Sequence, residues 1–233
     1  MRTADLSKTL DHTVLAPETT REDIERACER ARAVHVAAVC ASPEYTRVVA
    51  ERLRGSDVRT CAVITAPRVT GLRGQITLAE RAVRDGADEV DLALDLGALR
   101  AGAFGVARDG LLRLVHAVRT RAANDARGQI LVKAIIEAPL LDEAHVRMAC
   151  KIVADAGADF AVTSSGLGAP VAREDVELLR ESLPDHIGVT ASGGVRTVSD
   201  VQAMIAAGAS RVGTASAVDV LEHIRATNSR VQP

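Results

Sequence analysis

Short apolar runs alternate with longer amphipathic segments along the whole chain. Eight runs read as strands: TLDHT (9–13), VAAVCA (36–41), VRTCAVI (58–64), DEVDLAL (88–94), QILVKAI (129–135), DFAVTS (159–164), HIGVTAS (186–192) and SRVGTAS (210–216). Between them lie segments such as TTREDIERACERARA and LDEAHVRMACKIVADAG, with apolar residues at helical spacing. SPEYTRVVAERL opens with Ser-Pro, a helix-start signature. DGADEVDLAL (85–94), AGADFAVTSSG (156–166) and AGASRVGTAS (207–216) share a glycine, then Ala and Asp or Ser, then an apolar run. Glycine is favoured just past a helix C-terminus, so these repeats mark helix-to-strand junctions. RARAVHVAAVCAS (30–42) is a looser fourth case. Eight strands alternating with helices, with no linker or composition break, predict a single (β/α)8 barrel domain over residues 1–233. An open doubly wound sheet is the alternative, but the GxGxxG turn it needs for a dinucleotide is absent.

A barrel puts its chemistry at the C-terminal ends of the strands, and only alternate residues face inward. The inward list is then Asp11, Cys40, Asp91, Lys133, Val162 and Thr190. Lys133 interrupts the apolar run LVKAIIE, in a chain with 29 Lys and Arg of which three are lysine. Burial is expected to lower its pKa, as a nucleophilic or proton-transferring amine requires. The alternative is a structural ion pair with Asp91 or Glu137. Asp91 on the preceding strand either relays protons to Lys133 or only fills the barrel with charge. Asp11 either binds a substrate hydroxyl or caps a turn. His12 reads as structural, and Cys40 either lines the pocket or is a buried thiol.

Gly193 and Gly194 close the seventh strand and Gly213 ends the eighth. Barrels often hold phosphate between the loops after these strands, where glycine lets backbone N–H groups approach a ligand. Plain tight turns are the other reading. Apolar residues make up 47% and charged residues 26%, with net charge −2, which gives no case for a nucleic-acid or membrane surface. Four scattered cysteines suit a reducing cytoplasm, and no CxxC, HxH or HExxH spacing points to a metal. No metal or cofactor is therefore expected. Nor does the N-terminus carry the apolar stretch of a signal peptide.

These motifs together resemble the deoxyribose-phosphate aldolases, class I barrels that form a Schiff base. The resemblance runs nearly end to end, through LDHTVLAPETTREDI, VAAVCASPEY, GADEVDLALDLGAL, LVKAIIE, GADFAVTSSG, IGVTASGGVRT and GASRVGTAS. It implies that Asp91 and Lys133 belong to a proton-relay network. It also implies that the Schiff-base lysine would stand at Val162 and its helper lysine at Thr190, and both lysines are missing. The phosphate loop it implies comprises Gly166, Gly193, Gly194, Gly213 and Ser216. The inward pattern and the strand-end hydroxyls add Thr163, Ser165, Cys40 and Thr190 as candidate ligand contacts. The expected function is a divergent aldolase-like enzyme acting on a small phosphorylated sugar or carbonyl compound. Lys133 would replace the sixth-strand lysine, either as a relocated Schiff-base nucleophile or as a general acid/base with Asp91, with Asp11 beside them. Ordinary deoxyribose-phosphate aldolase activity would be weak or absent. A non-catalytic relative that binds a phosphorylated ligand or a protein partner is the alternative. The resemblance also leaves a homodimer to be expected.

Overall fold

The computed structural model describes residues 6–65, 67–166 and 169–231. Eight parallel strands close on one another in chain order, β1 to β8, and β8 returns to β1. They are β1 Leu10–Val14, β2 Ala38–Ala41, β3 Arg59–Ile64, β4 Glu89–Ala93, β5 Leu131–Ile135, β6 Phe160–Val162, β7 Gly188–Ser192 and β8 Arg211–Thr214. The helices that cover them are α1 Arg21–Val34, α2 Thr46–Leu53, α3 Pro67–Arg84, α4 Leu96–Arg100, α5 Phe104–Asn124, α6 Glu143–Ala156, α7 Arg173–Ser182, α8 Val198–Ala206 and α9 Ala217–Val231. The fold is a (β/α)8 barrel, and all eight expected strands are present within a residue or two of the expected ends. No described helix is long and apolar enough to cross a membrane.

Local chemistry sets the element ends. Thr20 and Asp23 form a reciprocal capping box at the start of α1, and Thr197 and Asp200 form one at α8. The junction glycines Gly86, Gly157 and Gly208 all adopt positive φ after their helices. In the looser fourth junction His35 takes the left-handed position, at φ 59°. The Ser-Pro signature opens a short 3-10 turn, Pro43–Tyr45, before α2 begins.

Period-two alternation divides the buried residues. Outward strand residues such as Leu10, Val39, Val90, Val132, Val189 and Val212 pack with helix residues into one large core. The interior carries a smaller cluster of Ala38, Cys40, Cys61, Val63, Ala93, Ile135 and Val162. Below it the barrel holds charge rather than hydrocarbon. Phe160 fills the space beside β7, which explains Gly188: a Cβ there would stand 2.2 Å from Phe160 Cε1.

Candidate active site

Five charged side chains converge inside the barrel. Lys133 reaches inward from β5 and is fully buried. Its Nζ lies 2.7 Å from Glu89 Oε2, 3.1 Å from Asp91 Oδ1 and 3.5 Å from Asp11 Oδ2. Arg211 enters from β8, pairs with Asp11 and lies 3.3 Å from Glu89 Oε2. The register explains the meeting: Asp91 and Lys133 are partners across β4 and β5, and Glu89 is two residues earlier on the same face of β4. Cys61 completes the group, donating to Asp91 Oδ1 at 3.2 Å.

The charges decide the protonation states. Burial alone pushes the Lys133 amine down, but Asp11, Asp91 and Glu89 push it up further, so it stays well above the usual lysine range. The expectation of a lowered amine pKa is therefore corrected. An ammonium held this way has no lone pair for attack on a carbonyl. Burial raises Asp91, and the attraction of Lys133 offsets this only in part because Asp11 and Glu89 push the same way as burial. Glu89 goes the other way: its burial is outweighed by Lys133 and Arg211, and its carboxyl falls to about 2.

Above the charges, at the C-terminal strand ends, lies a cavity of about 20 Å³, room for one water-sized group. Asp11, Cys40, Asp91, Val162, Thr190 and Gly213 are among its lining residues, with Ser164, Ser165 and Ser192 at the loops. Lys133 is not among them; it sits beneath Asp11 and Asp91. Val162 ends β6 with an apolar side chain. The buried hydroxyl of Thr190 has no hydrogen-bond partner among the described residues. The other two lysines are on the outside, Lys8 with Asp57 and Lys151 with Asp155.

Several expected ligand groups have other duties. Thr163 is fully buried; its hydroxyl donates to Ser192 O at 3.0 Å and accepts from Ser192 N at 2.9 Å. It staples β6 to β7. Asp11 lies within β1 and is ion-paired, so the turn-capping reading is corrected too. Gly213 belongs to β8, in register with Asp11 and Ser192. A Cβ there would come within 3.1 Å of Ser192 Oγ, so its contribution is open space in the cavity rather than a loop. His12 points away from the barrel interior, and burial first, then Arg30, depresses its imidazole to about 4.

The loops after β6, β7 and β8 lie together. Gly193 and Gly194 turn at φ 113° and 77°, and Val171 N donates to Gly193 O at 3.0 Å. A Cβ on Gly166 would meet Gly193 Cα at 3.9 Å. Thr214 donates to Val195 O at 2.6 Å and accepts from Ser216 N at 3.0 Å, joining the β7 and β8 turns. Glu137, expected as a partner of Lys133, instead accepts from Ser164 Oγ at 3.1 Å and Ser165 N at 3.2 Å, and so shapes the β6 loop.

Sequence reasoning missed Glu89, Arg211 and Cys61. Glu89 was legible in EVD, since residues two apart share a strand face. Arg211 stands two before Gly213 in the same way. Nothing in the sequence spacing brings Cys61 to Cys40; that takes the register of β2 on β3.

Comparison with known proteins agrees with this geometry. The profile of the family described as DeoC/LacD family aldolase matches residues 6–222. A deoxyribose-phosphate aldolase from Clostridium novyi (strain NT) is 38% identical over 227 residues, covering 97% of this chain and 99% of the relative. One from Streptococcus gordonii (strain Challis) is 41% identical over 226 residues, covering 93% and 96%. Among solved structures, an aldolase designated QR15 superimposes with a TM-score of 0.87 at 28% identity, covering 98% and 99%. The deoxyribose phosphate aldolase from Aeropyrum pernix, described as a unique tetramer, gives 0.82 at 28% identity, covering 97% and 93%. With the family profile spanning nearly the whole barrel and relatives this similar over their full length, the chain belongs to the DeoC/LacD family of aldolases.

Proposed function

We propose that the protein is an aldolase-family enzyme that acts on a small phosphorylated carbonyl or sugar compound without forming an imine. The observation that carries this reading is the composition of the cavity. Val162, at the position where the resemblance puts a reactive amine, lines it with an apolar side chain, while Asp91 and Asp11 form a polar floor over the buried charge of Lys133. Valine cannot form a Schiff base, and the Lys133 ammonium is enclosed below the lining residues. A carboxyl group remains at the point where a proton must move in enolisation or aldol chemistry. Asp91 is assigned this transfer. Lys133 is assigned the fixed positive charge that orients Asp91, and Asp11 shares the floor. Thr190, with its hydroxyl unpartnered, is assigned to a substrate oxygen. The turns at Gly166, Gly193, Gly194 and Ser216 are assigned to a phosphate above the cavity, in keeping with the names of the relatives. The cavity is small, so the reacting end of the ligand enters it and the rest lies over the loops.

The test combines trapping with exchange. The protein is incubated in heavy water with acetaldehyde, or with deoxyribose 5-phosphate, and α-deuteration is followed by NMR. A parallel sample is reduced with borohydride and mapped by mass. The expected result is α-exchange that is lost in Asp91→Asn, no adduct, and at most a trace of deoxyribose 5-phosphate cleavage. An adduct on Lys133 would overturn the reading in favour of a relocated imine. Binding of the sugar phosphate without exchange or turnover would favour a ligand-binding relative.

A further inference from the structure

Glu137 holds the β6 loop from an unfavoured backbone conformation. It has φ 56° and ψ 49°, in the left-handed region that favours glycine. The other two described non-glycine residues with positive φ, His35 and Ala126, stand just past the ends of α1 and α5, a common place for that conformation. Glu137 instead links β5 to a short 3-10 turn, Ala138–Leu140. It is the extra residue of a bulge between parallel strands. Ile136 N donates to Val162 O at 3.0 Å, and Ala138 N donates to Thr163 O at 2.7 Å. A regular ladder would carry the second bond to Ser164, so β5 advances two residues where β6 advances one. Bulges re-aim a side chain, and strained residues of this kind cluster at functional sites.

The re-aimed carboxylate gathers the loop. Oε2 accepts from Ser164 Oγ at 3.1 Å, and Oε1 accepts from Ser165 N at 3.2 Å. Ser164 Oγ in turn accepts from Gly166 N at 3.1 Å. Three successive loop residues are thus tied to one carboxylate, directly or through a hydroxyl. Ser164 is buried, and it packs on the next turn: a Cβ on Gly193 would lie 3.4 Å from Ser164 Cβ and Oγ. The Gly166 and Gly193 turns are therefore set against each other through Ser164. Ser164 and Ser165 line the strand-end cavity, while Glu137 is not among its lining residues. Glu137 therefore reaches a ligand there only through the loop.

We propose that Glu137 is a positioning residue that pre-orders the β6 loop for the phosphate end of the ligand. This rests on the reading of the Gly166, Gly193 and Gly194 turns as a phosphate site. A loop already held in its binding conformation spares the ligand the cost of ordering it. The left-handed backbone turns the carboxylate toward both donors, and a residue kept there against its own preference fits a role in the site better than one in packing. Electrostatics sharpens the inference. A carboxylate repels a phosphate, so deleting the charge would by itself strengthen binding. Pre-ordering predicts the opposite sign.

The full chain is titrated with deoxyribose 5-phosphate by calorimetry, as wild type, Glu137→Gly and Glu137→Gln. Glycine takes the left-handed backbone freely, so Glu137→Gly removes the carboxylate and relieves the strain together. Glutamine keeps an acceptor for Ser165 N but turns its NH2 group toward Ser164, whose hydroxyl then has no acceptor there. The expected result is binding weakened about tenfold in Glu137→Gly and by a smaller factor in Glu137→Gln, with circular dichroism showing both folded. In parallel, α-exchange in heavy water is followed with deoxyribose 5-phosphate and with acetaldehyde, which carries no phosphate. The loss with the sugar phosphate should exceed the loss with acetaldehyde about tenfold, and should lie in KM rather than kcat. A merely structural role would lower both alike. Unchanged or tighter binding in Glu137→Gly, equal losses with the two compounds, or no binding of deoxyribose 5-phosphate by the wild type would overturn the proposal. Binding without exchange in the wild type would sink the proposed reaction, and the titration alone would then decide the role of Glu137.

Discussion

Replacing Lys133 with methionine tests whether the buried charges are held together as described. The substitution keeps the length and most of the volume of the side chain, so the packing cost is below about 1.5 kcal/mol. It removes a cation that lies 2.7, 3.1 and 3.5 Å from three carboxylates. Arg211 remains, but among the described residues its ion pairs are with Asp11 and Glu89, so Asp91 loses its ion pair. Breaking a buried ion pair by deleting one partner costs about 3–5 kcal/mol, because the other charge is left uncompensated. The expected fall in the urea midpoint is about 1–2 M for a chain of this size. Double substitution of Lys133→Met with Asp91→Leu should recover much of the loss, since both members of the pair are then apolar. The measurement is equilibrium urea unfolding at neutral pH, followed by circular dichroism. A loss under about 1 kcal/mol for the single variant would refute the account, because it would mean that Lys133 is not the counter-ion of this cluster.

Other consequences can be measured directly. His12 is buried with its imidazole near 4 against an ordinary 6.5, so the unfolded chain binds a proton between those values that the folded chain does not. Stability is therefore lost as pH falls from about 6.5 to 4, by roughly 3 kcal/mol, and His12→Leu should remove that part of the slope in pH-dependent unfolding. Gly188→Ala places a Cβ 2.2 Å from the Phe160 ring and should cost about 1–3 kcal/mol in thermal unfolding. Phe160→Leu in the same chain should restore part of it, and no loss in the single variant would disprove the contact. Val162→Lys combined with Thr190→Lys should yield a borohydride-reducible acetaldehyde adduct on the new lysine and none on Lys133; an adduct confined to Lys133 would contradict its enclosure.

Much of the barrel was legible because strand and helix periods differ and because glycine marks the helix ends. The apolar run around Lys133 announced a buried amine, and EVD placed a carboxylate beside it. The sign of the amine's pKa was not legible. It depends on how many carboxylates reach the same nitrogen: Asp91 and Glu89 share the neighbouring strand, but Asp11 comes from β1, 122 positions away. Thr163 shows the opposite failure. Its hydroxyl sits at a strand end, where ligand contacts are common, but the β7 backbone uses it as both donor and acceptor. Glu137 has a left-handed backbone at φ 56°, a conformation that a motif cannot disclose, and its carboxylate turns to the β6 loop rather than to Lys133.

The charged plug has a consequence for the order of folding. Asp11 and Arg211 are 200 positions apart, and Lys133 and Asp11 are 122 apart. No run of consecutive strands short of all eight therefore brings in every charge of the interior. A chain emerging from the ribosome places Asp11, Glu89, Asp91 and Lys133 long before Arg211 exists, so its unfinished interior carries an excess of negative charge that favours hydration over collapse. Arrival of β8 supplies the missing guanidinium and closes the ring in one step. Closure over such a span is slow by topology, and a fragment lacking β8 keeps the charge excess that Arg211 reduces.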